Sequence, residues 1–278
     1  MIRKGKQAYP TPEQLLERYD ELGIERAVVM TGVNPECVLQ PQSNEESIEI
    51  YKRWPERFIP FCNVDPRAIN NSFNAPLGEL IGYYKEQGCK GVGEVTINLP
   101  FNHPMVENLF KYCQELQMPL TFHVATTIGG TYGLYDKPGL PLLEGALRKF
   151  PGLIFLAHSQ PFWAEIGSLD TIGSRDGYPS GPVKEEGAVP KLMRKYPNLH
   201  GDLSAGSGYN AINRDLEFGC RFLEEFQDRL YFGTDICAPD TNTPLVGLLK
   251  NLVATDKISK ECFKKISRGN AKKLFGIK

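Results

Sequence analysis

The sequence predicts an α/β fold, a distorted TIM-type (β/α)8 barrel with strand one missing or atypical, on three observations. Short apolar, β-branched runs alternate with amphipathic helical stretches along the chain, which implies parallel strands with helices on the outer face. The length, 278 residues, suits one barrel domain over 1–278, because such barrels run to about 250 residues. Polar residues recur near the C-terminal ends of the strand-like runs, the end where barrel enzymes keep their active sites.

The elements follow in order. "TPEQLLERYDELG" (11–23) is a helical pattern closed by "GI", and it leads into the strand "RAVVMTG" (26–32). Helical "NEESIEIYKRWPERF" (44–58) runs into "FIPFCNVD" (58–65), and a "QG" stop precedes "KGVGEVTI" (90–97). "HPMVENLFKYCQELQ" (103–117) is helical, and "MP" turns it into "PLTFHVA" (119–125). "PLLEGALRKFP" (141–151) leads to "LIFLAHS" (153–159), and "YPN" precedes "LHGDLSA" (199–205). Helical "DLEFGCRFLEEFQD" (215–228) then delivers the last strand, "LYFGTDI" (230–236). That makes seven strands, one short of a full barrel. An open doubly wound sheet is the structural alternative, but no G-x-G-x-x-G follows an early strand.

Two connections exceed the usual few residues. They run from Thr126 to Leu140 and from Gln160 to about Ala188. Both follow strand C-terminal ends, and they are expected to cover a substrate.

Composition narrows the class. The chain is 41% hydrophobic and 23% charged, with a net charge of −1 and no basic run, which points to neither a nucleic-acid partner nor a membrane surface. There is no transmembrane-length apolar stretch and no signal-peptide pattern. Seven cysteines without a C-x-x-C pair read as reduced thiols, and the expected location is cytoplasmic.

The strand ends carry the chemistry. Glu94, His123, His158, Asp202 with Ser204, and Asp235 close five successive strands, so a barrel would bring them to one mouth. Imidazole and carboxylate are the usual ligands of Zn²⁺ and similar ions. A catalytic ion keeps one position for water and lowers its pKa towards about 7, and a carboxylate nearby accepts the proton. His123, His158, Asp235 and Glu94 are the candidate metal ligands, and Asp235 and His158 are also the candidate catalytic residues. A lone His is more often a core residue, but two at adjacent strand ends joined by Asp235 favour function. Glu94 has a competing reading as the partner of a helix N-terminus or a lysine, and Asp202 one as an orienting or capping residue. His103 and His200, at a helix start and a strand start, read as structural, and Cys237 as an inert thiol. No G-x-S-x-G elbow, phosphate loop or lysine-ended strand appears, since Lys90 begins its strand.

With these motifs placed, "PEQLLERYDELGIERAVVM", "LTFHVA", "LRKFPGLIFLAHSQ", "LYFGTDICAPD" and "RGNAKKLFGI" resemble, in order and spacing, the amidohydrolase-related metal-dependent hydrolases. That branch also includes decarboxylases of the aminocarboxymuconate-semialdehyde type. The resemblance implies a distorted (β/α)8 barrel, His123 as metal ligand, and Asp235 as ligand or general acid/base. It implies that His158 binds metal or polarises the substrate and that Glu94 occupies a ligand position used by some members. A divalent cofactor is implied, Zn²⁺ foremost and Mn²⁺ as the other candidate, with a small-molecule substrate and a homodimer as the expected assembly. Two departures stand out. The family's first strand ends in H-x-H, whereas this chain opens "MIRKGKQAYPTPEQ" and contains no H-x-H. Either a longer gene product carries the missing strand, or the chain is a variant with half a site. "HSQP" also replaces a glycine-rich continuation. The expected function is hydrolysis of an amide, lactone or ester by a metal-activated water. The alternatives are non-oxidative decarboxylation of a carboxylated aromatic or semialdehyde, and a catalytically silent ligand-binding barrel.

Overall fold

The computed structural model describes residues 9–36, 41–169 and 175–277. Helix α1 (Pro12–Leu22) begins on a capping box in which Thr11 and Gln14 exchange side-chain and backbone hydrogen bonds, with Pro12 in the first turn. Strand β1 (Ala27–Val29) precedes α2 (Asn44–Arg53), which Ser43 and Glu46 cap in the same reciprocal way. This helix ends well before Phe58, the predicted limit, because Pro55 disfavours a helical conformation at Trp54. Then come β2 (Phe58–Pro60), α3 (Leu77–Glu86), β3 (Val92–Val95), α4 (Pro104–Glu115), β4 (Leu120–Ala125) and β5 (Leu134–Tyr135). They lead to α5 (Pro141–Lys149), β6 (Phe155–His158), α6 (Gln160–Ala164), α7 (Ala188–Lys195), β7 (Leu199–Asp202) and α8 (Ala205–Asn213). The last elements are α9 (Leu216–Glu225), β8 (Leu230–Tyr231), α10 (Pro244–Ala254), α11 (Lys260–Lys264), a π-helical turn (Lys265–Gly269) and α12 (Asn270–Phe275). All seven predicted strands are present, each shorter than its apolar run. The two-residue β5 is an addition, inside the first long connection.

Every ladder is parallel, in the order β3-β4-β6-β7-β8 with β5 beside β4. The β1–β2 pair joins this sheet just past β2, where Cys62 N donates to Gly91 O at 3.1 Å and Gly93 N to Cys62 O at 2.8 Å. Among the described residues no ladder joins β8 to β1. That is where a barrel would place the strand missing from the sequence count, and residues 1–8 lie outside the described ones.

The far edge of β8 is nevertheless occupied. Arg229 O and Tyr231 O accept from β7 and its continuation, so Leu230 O and Phe232 N face the other way. Phe232 N donates to Ile266 O at 3.0 Å, and Asn270 Nδ2 donates to Leu230 O at 2.8 Å. The C-terminal turn thus supplies bonds that a neighbouring strand would otherwise make.

Strand alternation sorts the side chains into two cores. Leu120, Phe122, Phe155 and Ala157 pack outward beneath the helices, where Phe110 meets Phe155 edge-on at 5.1 Å. Ile59, Phe61, Leu156 and Tyr231 form a smaller cluster together with Val28, Met30 and Ile154. Phe275 of α12 seals it, edge-on to Phe61 at 5.5 Å. His200 belongs with this packing rather than with the site: its ring stacks on Tyr231, and Nδ1 lies 2.9 Å from the tyrosine Oη. Burial and Arg229 push its pKa down to about 4. No described helix is long and apolar enough to cross a membrane.

Candidate active site

Above the apolar layer, the same strands end in polar groups. His158, the last residue of β6, is buried and aims Nδ1 at β7. Nδ1 lies 3.0 Å from Ser204 Oγ and 3.3 Å from Asp202 Oδ2. Ser204 returns to Asp202 twice, donating from Oγ to Oδ2 and from its N–H to Oδ1, both at 2.9 Å. Trp163 Nε1 donates to the Asp202 carbonyl at 2.8 Å, which fixes the backbone beneath this pair. Gly233 passes close alongside. A Cβ there would lie 2.7 Å from Ser204 Cβ and 2.9 Å from Asp202 Oδ1, so only glycine lets β8 run on this closely to Asp235.

His123 lies on the neighbouring strand β4, two residues before its end and in register with His158. Its Nδ1 donates to Val124 O at 2.9 Å, its ring centroid stands 6.0 Å from that of His158, and Tyr132 packs on it at 4.5 Å. Glu94 lies at the end of β3, and its Oε1 is buried without a hydrogen-bond partner. Asn63 Nδ2 donates to the Glu94 carbonyl at 2.6 Å. Asp235 follows β8 with a left-handed backbone, φ 54°. Its side chain is open to solvent, yet protein surrounds it closely enough to disfavour its charge.

The electrostatics tie four of these groups together. Burial opposes a charge on His158, but the hydrogen bond to Asp202 and the charges of Glu94, Asp202 and Asp235 outweigh it, and its pKa is pushed up to about 10. Asp202 is the reverse case. Burial would raise it, but His158 and the two Ser204 donors hold it below the usual carboxylate range. Glu94 rises to about 7, chiefly by burial; His158 pulls it down, while Asp235 and Asp202 push it up. Asp235 is raised for the same first reason, with His158 opposing and Asp202 reinforcing. His123 falls to about 3 through burial and the nearby His158 charge, against its bond to Val124. Perturbations of opposite sign gathered in one cluster are a physical signature of a functional site.

Glu94, His158 and Asp235 therefore sense one another's charge, whereas His123 is coupled to the group through His158. Among the described residues, no set of three or more His, Cys, Asp or Glu is gathered so as to hold a metal ion. His103 caps α4, accepting from Met105 N at 3.3 Å, and Cys237 is exposed. Ser204, Asn63 and Tyr132 went unassigned at the sequence level. Ser204 and Asn63 stand in polar strand endings, "HGDLS" and "FCNVD", a signal that was available.

The two long connections meet above this layer. Thr126 donates to Asp176, and Gln160 Nε2 donates to Tyr178 Oη at 3.1 Å. Beneath them, fully buried Arg175 pairs with Glu165 at 2.6 Å and donates to the Asp136 carbonyl at 2.9 Å. Asp170 to Ser174, in the second connection, lie outside the described residues.

Solved structures share this architecture. An uncharacterised TIM-barrel protein from Bordetella bronchiseptica is 16% identical with a TM-score of 0.64, over 98% of this chain and 87% of its own. A dihydroxybenzoic acid decarboxylase from a Polaromonas species, with bound manganese and the inhibitor 2-nitroresorcinol, is 18% identical with a TM-score of 0.58, over 96% and 86%. An amidohydrolase from Burkholderia multivorans with bound zinc is 12% identical with a TM-score of 0.61, over 97% and 89%. These likenesses establish the (β/α)8-type fold. No curated protein sequence matches the chain significantly. The model of the amidohydrolase family, however, matches residues 4–277. The chain belongs to the amidohydrolase family.

Proposed function

We propose that this chain is a divalent-metal-dependent hydrolase of a small organic substrate, acting on an amide, lactone or ester bond. The observation that carries this reading is the layer of acid and base groups at the strand ends, in which Glu94, His158 and Asp235 perturb one another. Zinc and manganese in the similar solved structures support a divalent ion. The donor chemistry here fits one. With Nδ1 of His123 engaged in a hydrogen bond, Nε2 of that ring is left for other bonding, whereas His158, held as a cation against Asp202, has no lone pair to offer a metal. Glu94 offers a buried, unpartnered oxygen, and Asp235 an accessible carboxylate. His123 and Asp235 would hold the ion, and Glu94 is not gathered with them into a three-residue set. These residues supply part of a coordination sphere, in keeping with the absence of H-x-H.

A bound divalent ion supplies Lewis acidity, polarising a carbonyl and acidifying a water. Asp235 would take the proton from the attacking water. Its raised pKa strengthens it as a base relative to an ordinary carboxylate. His158, held as a cation against Asp202, would give a proton to the leaving group. Tyr132 packs its ring against His123, which is half-buried.

A second reading has its own support. A His158 protonated at neutral pH also suits proton delivery to carbon after loss of carbon dioxide, and several similar structures are decarboxylases. Product analysis separates the two. Purified protein supplied with Zn²⁺ or Mn²⁺ is offered neutral esters, lactones and amides alongside aromatic carboxylates. Release of acid with alcohol or amine, reduced about 10²–10⁴-fold in Asp235→Asn and in His158→Gln, is the expected result. Carbon dioxide release from the carboxylates alone would replace hydrolysis by decarboxylation, and turnover of neither class would favour a silent barrel.

A further inference from the structure

We propose that Ser204 and Asp202 are positioning residues for His158: they keep a hydrogen on Nδ1, so that any proton His158 gives or takes passes through Nε2. The proposal deepens the acid/base role given to His158 above and rests on that reading.

Counting hydrogens on the observed contacts gives the argument. An ionised carboxylate only accepts, so the 2.9 Å contact between Ser204 Oγ and Asp202 Oδ2 uses the single hydroxyl hydrogen of Ser204. Ser204 Oγ can then meet His158 Nδ1, at 3.0 Å, only as an acceptor. The second neighbour of Nδ1, Asp202 Oδ2 at 3.3 Å, is an acceptor as well. Both contacts require Nδ1 to be the donor, whether the ring is neutral or charged. Nε2, on the opposite side of the ring, is the nitrogen whose state is free to change.

The platform is rigid as well as correctly poled. Asp202 Oδ1 takes the Ser204 N–H at 2.9 Å, and the Asp202 carbonyl takes the indole N–H of buried Trp163 at 2.8 Å. Both carboxylate oxygens and the backbone are thereby fixed, with Gly233 packed against Ser204 and Asp202. Asp202 lies below the usual carboxylate range, which keeps it an acceptor at working pH. The two residues have unequal tasks. Asp202 sets the polarity, because it cannot donate. Ser204 completes the geometry and relays that polarity to the ring.

The test is ¹⁵N NMR of protein labelled at histidine, treated with EDTA and free of substrate, with the His158 signals assigned by their loss in His158→Gln. In the wild type Nδ1 should carry a bonded hydrogen throughout pH 6 to 10, with any change confined to Nε2. Asp202→Asn introduces an amide that can donate to Nδ1, and should abolish the Nδ1–H signal once the ring is neutral. Ser204→Ala keeps the Asp202 contact, so Nδ1–H should persist but exchange with water about tenfold faster, the size expected for one lost hydrogen bond. Ser204→Thr, which retains the hydroxyl, should restore slow exchange. An Nδ1 without hydrogen in the wild type, or wild-type exchange in Ser204→Ala, would overturn the proposal, and the second result remains readable if Asp202→Asn does not fold. Because the signal is read without substrate, it is separate from the catalytic reading, whose failure would show as full activity in His158→Gln.

Discussion

Burial is the main reason Glu94 titrates at about 7, with His158 lowering it and Asp235 and Asp202 raising it. A carboxyl raised in the folded state contributes no penalty below its unfolded value, and destabilises progressively as pH rises through the folded one. The rise from 4.5 to about 7 corresponds to roughly 3 kcal/mol. In chelator-treated protein, Glu94→Gln should therefore raise the melting temperature at pH 8 and change it little at pH 4.5. An equal effect at both pH values in thermal unfolding would refute this account of Glu94. Gly133 makes a steric prediction at the same scale. Its φ is 105°, and a Cβ would sit 2.8 Å from His123 Nδ1, so Gly133→Ala should cost about 1–3 kcal/mol and displace the ring. Urea unfolding, with His123 followed by NMR, checks both effects. Among single residues, Glu94, His123, His158 and Asp235 were legible because a titratable side chain ending an apolar strand needs a reason to be there. Ser204 was named at its strand end without a role and Asn63 was not singled out, since serine and asparagine at strand ends are common turn formers. Only the distances to Asp202, His158 and Glu94 distinguish them.

The elements were legible wherever their cause is periodic or local. Alternating apolar runs gave the seven strands, and Thr11 and Asp215 do start helices, by accepting from Gln14 N and Phe218 N. The short β5 escaped because two residues carry no period, and its pairing with Val124 and Ala125 is a tertiary contact. The turn that covers β8 escaped for a related reason: it acts through one carbonyl, Ile266 O, and one side chain, Asn270. Asn270→Ala would leave Leu230 O and Gln227 O without this donor. The expected loss is about 1–3 kcal/mol, seen as a lower urea midpoint at unchanged slope. Wild-type stability in this variant would mean that the turn does not secure the strand edge.

Across the whole molecule, a single alternation divides the labour. Inside the strands, Ile59, Phe61, Leu156 and Tyr231 fill an apolar layer closed by Phe275, and further along the same strands the chain reaches the polar groups Asn63, His158 and Asp235. That layering holds the acid and base groups at one end, beneath two loops joined through Arg175, Glu165 and the Asp136 carbonyl. Architecture and the mouth's residue types followed from the sequence. The way the groups share charge did not, because it depends on burial and on separations that no linear spacing encodes. The central claim is that this mouth holds a divalent ion through His123 and Asp235. Isothermal titration of chelator-treated protein with Zn²⁺ and with Mn²⁺ tests it most directly. The account predicts binding of about one ion per chain, weakened at least about tenfold in His123→Ala and in Asp235→Asn. No binding of either ion by the wild type, or binding unchanged in both variants, would contradict it.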